Sequence, residues 1–385
     1  DLKFSAPAVD ATQPNPSVQL SFRLNEAADQ EVRIDIHRAD NDALVRSVSL
    51  GPLPKGLNTW TWDLRNNANA LVPTNVEYYF KVYTRGSGYG AWTQISDDNV
   101  REVQFEYPRG VDVNKDPNSP FFGRIYVNQA RNGTTVTGRV TNNGAYALNA
   151  DTTDAIGQGD TAINGNAGWD TASTASPYRL IVGPEGKVYF FDWSDNHGGV
   201  WVAPPDLSGD WKVILDPADI SNKSGTAPAP ETPPAIHGSV STGLVVGKGL
   251  NRVLYTVDED LIVPGDTNES SRGSIWMYPI GPLDVPYKQP PTVFWNDDIP
   301  NQIWNFNCDL ERDAAGNFWI TQYRSNGTDV FSLARIAPDG NPANNYAPTW
   351  RSLAQWGSPD PLRNNVAGVA IHEPAKRMAT AGTFS

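Results

Sequence analysis

The feature that most constrains this chain is a strand-turn-strand phrase that recurs along its C-terminal part. It reads YRLIVGPEGKVYFFDWS at 178 to 194, TGLVVGKGLNRVLYTVDED at 242 to 260 and NCDLERDAAGNFWITQYRS at 307 to 325. Two more short apolar runs follow each phrase: GVWVAPPD and WKVIL, then SIWMYPIG and TVFW, then FSLARIAPDG and TWRSL. GVDVNKDPNSPFFGRIYVNQA (110 to 130) with GAYALNADT (144 to 152) fits the same template, and GVAIHEPAKRMATAG (368 to 382) opens a further copy. Repetition at roughly 40 to 60 residues marks propellers or solenoids. A lone four-stranded sheet cannot cover both of its faces, so the copies are expected to pack face to face around an axis. The predicted fold class is all-β, with a C-terminal β-propeller over 108–385. Its four-stranded blades lie at about 110–165, 176–220, 241–298 and 305–357, with a partial blade at 366–385. A solenoid of sheets without ring closure is the alternative arrangement. Because the last copy stops after two strands, the last blade is expected to be incomplete. Either the natural chain continues past Ser385, or strands come from elsewhere, including the arm of a neighbouring subunit.

The N-terminal stretch is different. Period-two alternation in VQLSFRL and EVRIDI, continued in NTWTWDL (58 to 64) and VEYYFKVYT (76 to 84), predicts at least four strands in about 90 residues, enough for a small sandwich. Specific phrases accompany it: Pro14-Asn15-Pro16, Phe22-Arg23-Leu24, Val32-Arg33-Ile34-Asp35-Ile36, Leu44-Val45-Arg46, Lys55-Gly56-Leu57-Asn58, Trp62-Asp63 and Tyr78-Tyr79-Phe80-Lys81-Val82. On these residues the segment 10–107 resembles the Ig-like domain of the flagellar hook-capping protein, which recurs in exported bacterial surface proteins. The resemblance implies an architectural module that carries no catalysis. Two positions depart from the family pattern: Leu64 stands where Gly is usual after Trp-Asp, and Thr74-Asn75 replaces the Gly before the last strand. Asn tolerates the positive φ such turns need. Phrases such as GPEGKVYFFDWS and DAAGNFWITQY resemble NHL-like and related propellers of exported proteins. Ahead of the sandwich, residues 1–9 form an arm in which Leu2 and Phe4 alternate with polar neighbours. It can pair as an edge strand within its own chain or on a neighbour, which makes Leu2 and Phe4 the assembly-arm candidates.

Charge and cysteine content exclude several function classes. A net charge of −13 and no basic run give no footprint for nucleic acid. Cys308 is the single cysteine, so there is no internal disulfide and no Cys/His zinc cluster. No apolar stretch is long enough to span a membrane as a helix, and Asp1 is expected to be the mature start after removal of a leader. With the family resemblance, the expected location is extracellular or at the cell surface, with a signal peptide removed. Sequons at Asn132, Asn222, Asn268 and Asn326 are about as many as chance supplies and are candidate glycosylation sites only.

Candidate chemistry sits on the loops that follow the second strand of each repeat, which share one rim. Asp192, Trp193, Asp195 and His197 form one such loop, and Asp258, Glu259 and Asp260 form the next. Convergent carboxylates with a His suit a Ca²⁺ ion or a saccharide, with Trp193 as a stacking face. Turn formation by Asp, Ser and Asn explains the same residues more simply. Asp112, Asn114 and Asp116 alternate as in the first half of a Ca²⁺ loop, but the required Gly and bidentate Glu are missing. Among the four histidines, His37 falls on a strand of the first domain and His372 in the last copy, while His237 follows the Pro-rich stretch APAPETPP, read as a surface excursion. No nucleophile-elbow, zinc-protease or nucleotide-loop motif is present.

The expected function is therefore a non-enzymatic, exported structural or adhesive surface component, self-assembling as a homo-oligomer or filament through the Ig-like domain and arm. No cofactor is expected, with Ca²⁺ the one ion the carboxylates suit. Two alternatives stand beside it: a carbohydrate- or calcium-binding propeller module, and a propeller-type hydrolase or lyase.

Overall fold

The computed structural model describes residues 3–6, 8–10, 12–24, 26–86, 97, 99–220, 235–266, 271–297, 307–322, 332–352, 366–372 and 377–382. Leu2, Asn222, Asn268 and Asn326 lie outside the described residues. The chain divides into two compact units: residues 1–104 with 113–125 and 147–159, and residues 105–112 with 126–146 and 160–385. Residues 113–125 and 147–159, inside the stretch that the repeat assigns to a first blade, thus belong to the first unit.

The first unit is built on a sandwich of two three-stranded sheets. Its strands are β1 (Lys3–Phe4), β2 (Val18–Leu24), β3 (Ala28–Arg38), β4 (Leu44–Leu53), β5 (Gly56–Trp62) and β6 (Tyr78–Arg85), in the orders β1-β2-β5 and β4-β3-β6. Alternate residues of β2 (Val18, Leu20, Phe22, Leu24) and β3 (Val32, Ile34, Ile36) point inward and, with Trp62, make the core. This is the period-two pattern of strands with one buried face. Of the two places open to the arm, the structure shows the one within its own chain. Lys3 and Phe4 pair with Ser21 and Leu20, Ser5 N–H donates to Gln19 O at 2.8 Å, and the Phe4 ring meets Phe80 edge-on at 4.9 Å. Phe4 stays because its ring fills a place in an apolar core. At the two departures from the family pattern the backbone keeps the left-handed turn, with φ of 53° at Leu64 and 58° at Asn75. Asn bears this conformation readily, whereas Leu64 is strained there and is held by burial of its side chain against the core.

The second unit is the propeller. After β7 (Pro108–Val113), β8 (Ile125–Gln129), β9 (Gly133–Thr134), β10 (Val140–Thr141) and β11 (Gly144–Leu148) come three sheets of four consecutive antiparallel strands. These are β12 (Arg179–Val182), β13 (Val188–Phe191), β14 (Val200–Ala203) and β15 (Lys212–Leu215); β16 (Val240–Val246), β17 (Val253–Asp258), β18 (Ile275–Tyr278) and β19 (Thr292–Trp295); and β20 (Asn307–Arg312), β21 (Phe318–Gln322), β22 (Leu333–Ile336) and β23 (Trp350–Arg351). A two-stranded sheet of β24 (Val366–His372) and β25 (Arg377–Gly382) follows. The earliest copy is a three-stranded sheet ordered β11-β8-β7, with the β9–β10 hairpin inserted between β8 and β11.

First strands are the neighbours from blade to blade: β12 beside β16, β16 beside β20, and β20 beside β24. The β16–β19 blade buries both faces. Along β16, Leu244 enters the core shared with the following blade and Val245 the core shared with the preceding one; Ile275 and Trp276 on β18 divide in the same way. Gly243 on β16 is packed so tightly that a Cβ there would lie 2.3 Å from Tyr255 O on β17 of the same blade and 2.6 Å from the Phe191 ring on β13 of the preceding blade.

On the rim that carries the first turn of each blade, a fully buried Arg252 locks two blades together. Its Nε donates to Gly281 O (2.7 Å), Nη1 to Asp284 Oδ1 (2.7 Å) and to the Tyr189 hydroxyl on β13 (3.2 Å), and Nη2 to Leu283 O (2.8 Å). Lys187 closes the network 2.5 Å from Asp284. Removing one member of a buried ion pair leaves the other uncompensated. Arg252→Ala is expected to lower unfolding stability by about 3 kcal/mol, and Arg252→Lys to recover only part of it because an ammonium cannot reproduce the fork of donors. Urea titration monitored by Trp fluorescence reads both.

Candidate functional site

The rim predicted from the repeat exists, and most of its polar side chains are turned back into the protein. Asp192, at the end of β13, is fully buried and accepts from Ser176 Oγ (2.5 Å), Ser194 N–H (2.9 Å) and His197 Nδ1 (2.8 Å). The other ring nitrogen of His197 faces Ala167 O at 3.0 Å, and the ring stacks on Trp201 with centroids 4.7 Å apart at 3°. Serine, histidine and aspartate therefore meet here, but in the wrong order for nucleophilic catalysis. A triad places the imidazole between hydroxyl and carboxylate. Here the carboxylate stands between the other two, and Ser176 is wholly buried.

The loop after β17 lies alongside. Asp258 accepts from the N–H groups of Gly238 (2.6 Å), Asp260 (2.9 Å) and Leu261 (3.0 Å), Asp260 accepts from Ser239 N–H (2.7 Å), and Asp195 accepts from the Ser239 hydroxyl (3.3 Å). Carboxylates of two blades thus converge on Gly238-Ser239. Only glycine fits at 238, since a Cβ there would lie 2.3 Å from Asp260 Cβ.

Glu259 sits among these groups, beside the Trp193 indole, whose own ring meets Tyr178 edge-on at 4.6 Å. Burial first, and then the charges of Asp260, Asp195 and Asp258, push the Glu259 carboxyl up to about 8. Asp258 is also raised, by burial and by Asp260, against the pull of its three N–H donors. The rim therefore holds a carboxyl group that is largely protonated at neutral pH, and such a group can donate a hydrogen bond.

The remaining predicted residues separate. Asp112 Oδ2 accepts from Val182 N–H (2.7 Å), Asn114 Oδ1 from Asp116 N–H (3.0 Å) and Asp116 Oδ1 from Asn118 N–H (2.9 Å). These are one strand-to-strand tie and two turns. Among the described residues, no group of three or more His, Cys, Asp or Glu is placed to hold a metal ion. Asn132 is exposed, and its Oδ1 accepts from Asn143 N–H (2.8 Å). His37 stacks on Tyr79, and His237 is fully buried, with its ring nitrogens 2.9 Å from Gly238 O and Asp216 O; the Pro-rich stretch 227–234 read as a surface excursion lies outside the described residues. Ser176, Gly238 and Ser239 escaped sequence reasoning. The signal was the repeat itself, because a polar or glycine residue precedes the first strand in both blades and meets the aspartate that ends the second.

Comparison with known proteins bears first on the N-terminal unit. Residues 8–88 match the family model of the FlgD Ig-like domain. No curated protein matches the chain. The FlgD structure from P. aeruginosa is similar at 19% identity, covering 18% of this chain and 50% of that one, with a TM-score of 0.17. A putative gluconolactonase is similar at 12% identity over 54% of this chain and 55% of its own, TM-score 0.31. A gluconolactonase from Xanthomonas campestris is similar at 13% identity over 95% and 86%, TM-score 0.40. The chain spans about half the length of the first two. The FlgD Ig-like match falls within the first unit, and the rim described above lies wholly in the second.

The raised carboxyl gives a pH dependence of defined sign. Glu259 titrates higher in the folded protein than its ordinary 4.5, so the native state holds more protons. Its contribution to stability is full below the ordinary value and is lost as pH rises through about 8. His237 acts oppositely: burial lowers it below 6.5, so its contribution is lost as pH falls from that value. Glu259→Gln is expected to flatten the decline in melting temperature between about pH 5 and pH 9. Parallel melting curves for variant and wild type would contradict the assignment.

Proposed function

We propose that this chain is an exported, non-enzymatic surface protein in which the FlgD-type Ig-like domain is an assembly module and the propeller a rigid platform. The observation that carries this reading is the Ser176–Asp192–His197 arrangement, where the residue types of a hydrolase are wholly buried or turned inward and serve the blade. The Ig-like module supports the architectural role, and a net charge of −13 suits an exported protein. A second reading has its own support. Glu259, held as a neutral acid beside the half-buried Trp193, offers a donor and an aromatic face to a saccharide.

Negative-stain electron microscopy over a concentration series, joined to turnover assays on polysaccharides and lactones, tests the proposal. Ordered assemblies without turnover are expected. Turnover abolished by His197→Ala or Glu259→Gln would overturn it, and glycan binding lost in Trp193→Ala with no assembly would favour the second reading.

A further inference from the structure

Tryptophan is usually well covered in a folded chain, so a tryptophan left open on a sheet face calls for a reason. In the sheet β20–β23, Leu310, Phe318, Ile320 and Ile336 face the preceding blade and enter the core shared with it. The opposite face carries one row across all four strands: Glu311 pairs with Trp319, Trp319 with Arg335, and Arg335 with Trp350. On β16–β18 the row Leu244, Tyr255 and Met277 is apolar and packs into the next blade. Past β20–β23, the following strand β24 lies beside the inner strands β20 and β21, where Val369 N–H donates to Asp309 Oδ2 at 2.8 Å. Farther out, Trp350 is 43% exposed, and Trp319 and Arg335 are half-buried.

The outer part of this row is a fixed shelf. The Trp319 and Trp350 rings stand 5.5 Å apart at 53°, Trp319 Nε1 donates to Asp313 Oδ2 (3.0 Å), and the Arg335 guanidinium lies 5.8 Å from the centre of the Trp319 ring. Arg335 Nε donates to Thr349 Oγ1 at 3.0 Å, which orients the guanidinium. Among the described residues neither Nη of Arg335 has a hydrogen-bond partner. An oriented, unpaired guanidinium beside an open indole, on a chain of net charge −13, selects a ligand that joins an anion to a flat apolar face. We infer that this shelf binds a uronate residue of an acidic polysaccharide, its pyranose ring stacked on Trp350 and its carboxylate accepting a bidentate pair of hydrogen bonds from the two Nη groups of Arg335. The C–H groups of a pyranose face suit the electron-rich face of an indole, and the planar guanidinium matches a carboxylate. A neutral sugar leaves the Nη donors unanswered, and an acidic peptide leaves the indole uncovered. The shelf shares no residue with the Glu259–Trp193 rim and does not depend on assembly of the chain.

Isothermal titration calorimetry of the full chain with oligomers of galacturonate and of glucuronate tests the inference. At least one is expected to bind, more weakly as salt is raised. Its methyl ester, which keeps the ring and loses the charge, is expected to bind about tenfold more weakly. Arg335→Gln and Trp350→Ala are each expected to cost about tenfold in affinity for the acid, and Trp193→Ala nothing. Both shelf residues lie outside the core of their blade, so circular dichroism is expected to stay unchanged. Binding of neither oligomer, equal binding of acid and ester, or full affinity in either shelf variant would overturn the inference. Equal binding of oligoglutamate would make this a site for acidic peptide and overturn the saccharide assignment. Loss of binding in Trp193→Ala would move the saccharide to the rim and overturn the shelf.

Discussion

The propeller depends on one constraint, seen in its middle four-stranded sheet: β16–β19 is apolar on both faces, so it must lie between two others. Consecutive residues of a strand point to opposite faces, and here both faces are core. Leu244 and Val245 on β16, or Ile275 and Trp276 on β18, are adjacent in sequence and belong to different clusters. A sheet of this kind has no solvent face to give, which distinguishes it from the sandwich of the first unit, where β2 and β3 alternate apolar and polar. Tight packing of β16 between β17 and the Phe191 ring of the preceding blade follows, and with it the demand for glycine at 243.

The same constraint explains how the polar rim is used. Where the second strand of a blade ends, the chain must leave the sheet beside the entry to the first strand, and backbone N–H groups there need acceptors. Asp258 satisfies three of them, and Asp192 satisfies one along with a serine and a histidine. Buried carboxylates of this kind are costly unless their lone pairs are filled. Filling them with the protein's own donors yields a joint between loops. The exception is Glu259, which is crowded by like charges and burial and keeps a proton as the less costly state.

Much of this was legible in the sequence. The recurring phrases marked the strands of the blades and the loops that share a rim, and alternation in VQLSFRL and EVRIDI marked the sandwich. The use made of each rim residue was not legible, because one partner of each aspartate, Ser176 for Asp192 and Gly238 for Asp258, lies 16 and 20 residues upstream, across a sheet. Nor did the sequence around His237 show that its ring is enclosed by two carbonyls, one of them on Asp216, 21 positions upstream. The membership of 147–159 in the first unit also had no local sign. It rests in part on Arg23 and Asp151, 128 positions apart and joined at 2.5 Å.

If interlocked first strands are the framework of the propeller, they must be its last part to open. Hydrogen–deuterium exchange resolved by peptide measures this directly. The account predicts that β12, β16 and β20 exchange slowest and together, and that β15, β19 and β23 exchange faster. Fourth strands more protected than first strands, or first strands that open independently of one another, would contradict it.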